Sequence, residues 1–152
     1  MATLQSARKD IQRLPMINAI DLIKKHEGFS GVPYKDTEGY DTIGYGTKLP
    51  ITRAEAELLL RSRLDETPPE MLHALVYNYS TIDGTRRAVL RDMLYNLGYS
   101  GLLQFRKMRA AIERLDFDAA ADEMLNSKWA GQVKGRATEL AAMMRAGDDY
   151  RP

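Results

Sequence analysis

Residues 29–50 read FSGVPYKDTEGYDTIGYGTKLP, and their composition differs from that of the rest of the chain. Aromatic and β-branched residues are interspersed here with glycine and proline, which is typical of short strands joined by turns. The glycines and prolines of the segment are Gly31, Gly39, Gly44, Gly46, Pro33 and Pro50. We therefore expect a small antiparallel sheet over about residues 32–48.

Helical patterns follow this segment almost to the end of the chain. Thr52 and Glu55 have the spacing of a capping box, which predicts a helix from there to about Leu64. Apolar residues at helical spacing predict one helix from Pro68 to about Tyr79 and another from Thr85 to Gly98. Three more are predicted over about 103–115, 118–126 and 135–145. Strands and helices do not alternate, so a parallel α/β sheet is disfavoured. The predicted class is α+β, with a sheet lobe over about 29–50 and a helical lobe over about 51–147.

The N-terminal region before the sheet contains two helical patterns. Residues 16–27 carry apolar side chains at helical spacing, and Gly28 follows as a natural stop. We assign 16–152 to one domain and 1–15 to an extension, either a short helix ending at Pro15 or an arm. The extension has no signal-peptide core, and no stretch of the chain approaches a membrane span. We expect synthesis in a cytoplasm without a signal peptide, and later release or delivery if the place of action lies elsewhere.

The composition of the 152 residues excludes several classes of function. The formal net charge is only +1, whereas nucleic-acid binders usually carry a clear excess of lysine and arginine. The absence of cysteine excludes disulfides, thiol catalysis and cysteine-ligated metal sites. With two histidines, a histidine-rich metal site is also disfavoured. We expect a monomer that needs no metal or organic cofactor.

Two carboxyl groups stand out by their expected surroundings. Glu27 continues the apolar face of the 16–27 helix, where desolvation would favour its protonated form, as a general acid requires. Asp36 lies in the turn-rich segment, where a polar environment would keep its carboxylate ionised. Two carboxyls separated in this way are typical of glycoside cleavage. The spacing alone is weak evidence, because most acidic residues of such a chain are solvated.

A longer pattern around these carboxyls is far more specific. From Glu27-Gly28 the sequence continues, after a spacer, as Y-x-D-x-x-G-x-x-T-x-G-x-G between Tyr34 and Gly46. This string closely resembles the phage-type lysozymes, the muramidases of glycoside hydrolase family 24. The resemblance continues in Y-N-L-G at 95–98, S-K-W at 127–129 and G-R-A at 135–137, and it covers about residues 16–147.

The resemblance implies a lysozyme-like fold with an active-site cleft between the two lobes. The substrate would be the glycan strands of peptidoglycan, cut at the β-1,4 bond between N-acetylmuramic acid and N-acetylglucosamine. Glu27 matches the family's general acid, Asp36 the carboxylate that assists the attacking water, and Thr42 the hydroxyl that helps to hold that water. The better-studied members invert, which implies a carboxyl separation of roughly 6.5–9.5 Å.

Three further positions take their expected roles from the resemblance. Arg136 matches an arginine that pairs with the catalytic glutamate, and Tyr95 and Asn96 match positions that line the cleft floor. Thr47 departs from the family, which usually has histidine after the G-x-G. Because that histidine is generally a structural ion-pair partner, we expect lower stability or a different local contact rather than a loss of activity.

Two other functions remain open at this stage. A lytic transglycosylase needs the acid but no water-activating partner, so the presence of both Asp36 and Thr42 favours hydrolysis. An inactive wall-binding module would not need Glu27, Asp36 or Thr42. The sequence also leaves the biological role open between host lysis and wall penetration in the periplasm.

Overall fold

One helix, three short strands and seven further helices follow one another in the computed structural model, which describes residues 18–152. The chain divides into two units, which we call the sheet unit, up to Ala56, and the helical unit, Glu57–Pro152. The helix or arm expected for residues 1–15 lies outside the described residues. The domain boundary at residue 16 therefore stays a prediction.

The first helix, α1, covers Ala19–Glu27 and is capped at both ends. The Asn18 side chain accepts a hydrogen bond from the backbone amide of Asp21, which satisfies one of the free amides of the first turn. At the other end the Gly28 amide donates to the carbonyl of Lys24, at 3.1 Å. The helix thus ends at the glycine that the sequence indicated, directly after Glu27.

The expected antiparallel sheet is confirmed. Its strands are β1 (Ser30–Lys35), β2 (Asp41–Gly44) and β3 (Thr47–Lys48), in the order β1-β2-β3. On the central strand Thr42 pairs with Tyr34 of β1 and with Lys48 of β3. The sheet therefore brings the middle of the motif next to both of its ends.

Helix α2 (Arg53–Asp65) begins in the capping box that the sequence predicted. The Glu55 carboxylate accepts from the amide of Thr52 at 2.7 Å, and the amide of Glu55 donates to the Thr52 hydroxyl at 3.2 Å. This reciprocal pair satisfies two amides that a helix start leaves without partners.

The remaining helices belong to the helical unit. They are α3 (Pro69–Leu75), α4 (Gly84–Leu103), α5 (Arg106–Glu113), α6 (Phe117–Leu125), α7 (Lys128–Val133) and α8 (Gly135–Ala146), followed by a short 3-10 turn at Gly147–Asp149. Helix α4 is kinked at Gly98, whose backbone is not helical. Helix α3 ends at Leu75 because Val76 is extended, so the expected continuation to Tyr79 is wrong. Helix α7 was not predicted, since its six residues are too few to show a helical period.

A buried apolar core holds the helical unit together. Its fully buried side chains come mainly from α4, α5, α6 and α8 and include Val89, Leu90, Met93, Ile112, Met124, Ala141 and Met144. Arg86 ties α4 to the end of α8, because its Nε donates to the carbonyl of Met144 at 2.7 Å and its Nη2 to that of Arg145 at 2.6 Å. The α4 segment that precedes Gly98 is thus anchored along most of its length.

Candidate active site

Glu27 lies at the last position of α1 and is exposed. The sequence predicted apolar surroundings for this carboxyl, because Ile20 and Ile23 share its helix face. In the described structure these two side chains are themselves exposed, by 63% and 53%, so that expectation is not met there. The C-terminal position of Glu27 follows from the stop at Gly28.

The turn between β2 and β3 passes directly beside the Glu27 carboxyl. A β-carbon placed on Gly46 would lie 2.7 Å from Glu27 Oε2 and 3.1 Å from its Cδ. Gly46 also has a φ of +81°, a conformation that side chains with a β-carbon rarely adopt. The backbone therefore approaches the Glu27 carboxyl closely at Gly46. Gly44 also has a positive φ, but a β-carbon placed on it would have no atom within 4 Å. Glycine is therefore favoured at position 44 by the backbone conformation alone.

Asp36 holds the turn that connects β1 to β2. Its Oδ1 accepts hydrogen bonds from the amides of Glu38 and Tyr40, both at 2.9 Å. The Tyr40 amide is the main reason that the pKa of Asp36 lies below its ordinary value. Burial opposes this effect, and the Glu38 amide and the Lys48 ammonium add to it. The lowered pKa favours the ionised carboxylate that the sequence predicts in this polar turn.

Lys48, on β3, reaches the same turn from the other side of the sheet. Its ammonium lies 3.7 Å from Asp36 Oδ2, 3.2 Å from Glu38 Oε2 and 4.0 Å from the centroid of the Tyr40 ring. The sequence analysis did not single out Lys48. The strand register, in which Lys48 pairs with Thr42, is the signal that would have found it.

Thr42 is the buried residue of the central strand, with 2% of its surface exposed. Its hydroxyl donates to the carbonyl of Tyr40 at 3.1 Å, and the same carbonyl accepts from the amide of Asp36 at 3.0 Å. The backbone of Tyr40 therefore connects Asp36 and Thr42 through its amide and its carbonyl. Because the only proton of the Thr42 hydroxyl is used in this way, the oxygen is left as an acceptor for any further partner.

Arg136 and its partner lie in the helical unit. The Nε and Nη2 atoms of Arg136 both lie 2.8 Å from Oδ1 of Asp92, on α4. The sequence analysis did not identify Asp92, because nothing local connects two residues that are 44 positions apart. The expected pairing of Arg136 with Glu27 stays a prediction.

Tyr95 and Asn96 precede the kink of α4 at Gly98. Oδ1 of Asn96 accepts a hydrogen bond from the indole nitrogen of Trp129 at 2.7 Å. Trp129 is 4% exposed and its ring meets Phe105 edge-on at 6.0 Å, which makes it a core residue. Tyr95 is 45% exposed. The side-chain oxygen of Asn96 therefore binds the α7 region, and Tyr95 presents an exposed ring close to it in the chain.

Residues 18–152 were also searched for metal-binding clusters and for membrane-spanning helices. Within residues 18–152, histidine, aspartate and glutamate form no group of three that could hold a metal ion. None of the helices in the same range combines the length and apolar character needed to cross a membrane.

Comparison with known proteins finds relatives over nearly the whole chain. The model of the Phage lysozyme family matches residues 24–145. Probable T4-type lysozyme 1 and Probable T4-type lysozyme 2, both from Dictyostelium discoideum, are 27% and 26% identical to the chain. The first alignment covers 87% of this chain and 96% of the relative, and the second covers 84% and 93%. The Pre-baseplate central spike protein Gp5 of Enterobacteria phage T4 is 25% identical, over 88% of this chain and 28% of its own length.

The matched range contains the whole motif around Glu27, Asp36 and Thr42, together with Tyr95, Asn96 and Arg136. The fold agrees, since a small three-stranded antiparallel sheet accompanies a larger set of helices. The chain therefore belongs to the phage lysozyme family, and it is a glycoside hydrolase of the muramidase type.

Proposed function

We propose that Glu27, Asp36 and Thr42 carry out the hydrolysis of the β-1,4 bond between N-acetylmuramic acid and N-acetylglucosamine. The observation that carries this proposal is that Asp36 and Thr42 are both hydrogen-bonded to the backbone of Tyr40. The Tyr40 amide donates to the carboxylate of Asp36, and the Tyr40 carbonyl accepts from the hydroxyl of Thr42, whose oxygen stays available as an acceptor. Two acceptors in this arrangement suit a water molecule, which has two protons to donate.

The roles of the three side chains follow from their chemistry. Glu27 donates a proton to the oxygen of the departing sugar, which makes that oxygen a better leaving group. The water donates one hydrogen bond to Thr42 and the other to Asp36, so that a lone pair points at the anomeric carbon. Asp36 then accepts the proton as the water attacks from the opposite face, and the configuration inverts.

Gly46 and Lys48 support this assignment from the sheet. The Gly46 backbone leaves room for the Glu27 carboxyl that any other residue at that position would occupy. The Lys48 ammonium favours the ionised form of Asp36, which is the form that accepts a proton from water.

We further propose that Tyr95 and Asn96 contact the glycan strand and that Arg136 orients the catalytic carboxyl. The protein acts as a monomer on the bacterial cell wall, in host lysis or wall penetration, after release from the compartment where it is made. Its near-neutral charge of +1 fits a glycan substrate better than nucleic acid. Light scattering of the purified protein tests the monomer.

The test is Glu27→Gln assayed beside wild type on purified peptidoglycan. Loss of the proton donor should lower the rate by a factor of roughly 10²–10⁴, because general acid catalysis contributes about that much. Glu57→Gln is the matched control, since Glu57 is an exposed carboxyl on α2, and it should keep the full rate.

Mass spectrometry and proton NMR of the products decide between the candidate functions. Reducing muramic ends with inverted configuration are expected. Anhydro-muramic ends would identify a lytic transglycosylase instead, and retained configuration would remove the inverting mechanism. Wild type that binds the wall but releases no product would be a wall-binding module, and full activity of Glu27→Gln would show that another residue is the acid.

A further inference from the structure

A pocket of about 490 Å³ lies in the helical unit, among residues that the proposed hydrolysis does not use. Its polar lining consists of His73, Tyr79, Ser80, Arg87 and Arg91, and none of the residues that line it is acidic. The pocket lies where the segment after α3 meets the first turns of α4. Its lining carries two guanidinium groups with no carboxylate to balance them.

The two arginines lie one turn apart on the same face of α4. Like charges at this spacing repel each other and weaken a helix unless something compensates them. Among the described residues neither arginine takes part in an ion pair. Arg91 donates one hydrogen bond, to the carbonyl of Leu64 at 3.2 Å, and the Arg87 side chain donates none. Most of their donor capacity is therefore not used by the described residues, and Arg87 is exposed at the rim whereas Arg91 is partly buried.

Tyr79 adds a neutral donor beside these charges. The residue is 5% exposed and its ring meets that of His73 edge-on at 5.1 Å, yet its hydroxyl has no hydrogen-bond partner among the described residues. Burial raises the pKa of Tyr79, although the positive charges of Arg91 and Arg87 act against the rise. The hydroxyl therefore keeps its proton. The Tyr79 hydroxyl is thus a protonated donor on the pocket lining, and a bound acceptor could use it without breaking a hydrogen bond to the described residues.

We propose that this pocket binds a phosphate-type anion through Arg87, Arg91 and the hydroxyl of Tyr79. Guanidinium groups present pairs of N–H donors that match the oxygens of a tetrahedral oxyanion. A carboxylate has two oxygens and satisfies one guanidinium, whereas phosphate has enough oxygens for both guanidiniums, the Tyr79 hydroxyl and the nearby Ser80 hydroxyl. Two positive charges also balance a dianion.

The same chemistry could come from free inorganic phosphate or from the phosphate of a lipid headgroup. Both sources present a tetrahedral anion, so the pocket itself does not distinguish them. The residues that line the pocket belong to the helical unit, whereas Glu27, Asp36 and Thr42 belong to the sheet unit. The proposal therefore stands or falls independently of the hydrolytic mechanism.

The experiment is a titration of the ¹⁵N-labelled full chain with sodium phosphate, followed by two-dimensional NMR, with ionic strength held constant by sodium chloride. Saturable shifts are expected at the amides of Ser80 and Arg87. Arg87→Met should weaken binding roughly tenfold, because one charge-assisted hydrogen bond is lost while the aliphatic stem is kept. Tyr79→Phe should weaken it by a smaller factor, since only a neutral donor is removed.

Arg114→Met is the matched control, because Arg114 is an exposed arginine whose side chain has no hydrogen bond or ion pair among the described residues. It should bind phosphate as wild type does. Shifts that do not saturate, shifts that persist unchanged in Arg87→Met, or equal shifts with sodium acetate would overturn the proposal. Each of these results would indicate a general salt effect or a site without preference for phosphate.

A second arm identifies the source of the phosphate. Vesicles of phosphatidylglycerol in phosphatidylcholine are sedimented with wild type, Arg87→Met and Arg114→Met. Co-sedimentation that is lost only in Arg87→Met supports the site and assigns it to a lipid headgroup. Saturable phosphate binding without co-sedimentation supports the site and assigns it to soluble phosphate.

Discussion

The sheet unit and the helical unit are stabilised by different means. In residues 18–56 Thr42 is the only buried residue. The conformation of this segment is instead stabilised by hydrogen-bonded turns, helix caps and ion pairs. The helical unit instead encloses a continuous set of fully buried apolar side chains. The proposed catalytic side chains all lie in the first kind of structure. Substitutions in the sheet unit should therefore mainly lower activity, whereas substitutions in the core of the helical unit should mainly lower stability.

The largest stability effect is expected for Leu90→Ala in the core of the helical unit. Leu90 is fully buried on α4, and its truncation should lower the free energy of unfolding by about 2–5 kcal/mol, through lost burial and the cavity left behind. Urea denaturation followed by circular dichroism measures the change. Leu58→Ala is the control, because Leu58 is 66% exposed on α2 and should alter stability by at most about 0.5 kcal/mol. An equal loss in both variants would contradict the exposed placement of Leu58.

Gly46→Ala should affect activity more than stability. The new β-carbon would displace the Glu27 carboxyl, and a misplacement of about 1 Å can lower a rate roughly 100-fold. Gly44→Ala introduces a similar backbone strain, worth about 1–2 kcal/mol, but meets no neighbouring atom. Assays on peptidoglycan and urea denaturation of both variants separate strain from displacement. If the two variants lose the same activity, contact with Glu27 is not the reason for glycine at position 46.

Asn96→Ala tests a polar contact of the helical unit. Removing the side chain leaves the buried indole N–H of Trp129 without an acceptor, which should reduce stability by about 1–3 kcal/mol. The change is read from the midpoint of urea denaturation and from the fluorescence of Trp129, the only tryptophan. Gln132→Ala removes an exposed amide from α7 and should leave both readings as in wild type. Unchanged fluorescence in Asn96→Ala would contradict the hydrogen bond.

The smallest effect is expected for Lys48→Met, and it is a change in pH dependence. Without the ammonium the pKa of Asp36 should rise towards its ordinary value, so the acidic limb of the pH–activity profile should move to higher pH. The shift is modest because the Tyr40 amide, which contributes more, remains. Lys35→Met is the control, since Lys35 pairs with Asp41 at 2.9 Å, and it should leave the limb in place. A limb that moves equally in both variants would indicate a general effect of net charge.

The same pKa shift predicts the direction in which acid affects stability. A carboxyl whose pKa is lowered in the folded state stabilises the protein at pH values above its unfolded pKa. That contribution is lost as the pH falls through the folded pKa. Asp36→Asn should therefore remove part of the acid dependence of stability, which denaturation measured at several pH values would show. An unchanged dependence would mean that Asp36 does not hold its turn in solution.

Much of the sheet unit could be predicted from the sequence, because its structure is encoded locally. The Asp36 turn, the capping box at Thr52–Glu55 and the strands between the glycines each depend on residues only a few positions apart. The environment of Glu27 could not be predicted, because helical periodicity shows which side chains share a face and not what covers them. Helix α7 and the early end of α3 were missed for lack of a sufficiently long repeat.

The sequence by itself determined the α+β class, the family resemblance and the identity of Glu27, Asp36 and Thr42 as the expected catalytic set. Only the tertiary structure revealed the contacts of Lys48 with Asp36, of Arg136 with Asp92 and of Asn96 with Trp129. It also revealed the pocket between Tyr79, Arg87 and Arg91. The physical reason is range: turns and caps form between near neighbours in the chain, whereas charge pairs and pockets depend on how distant segments pack.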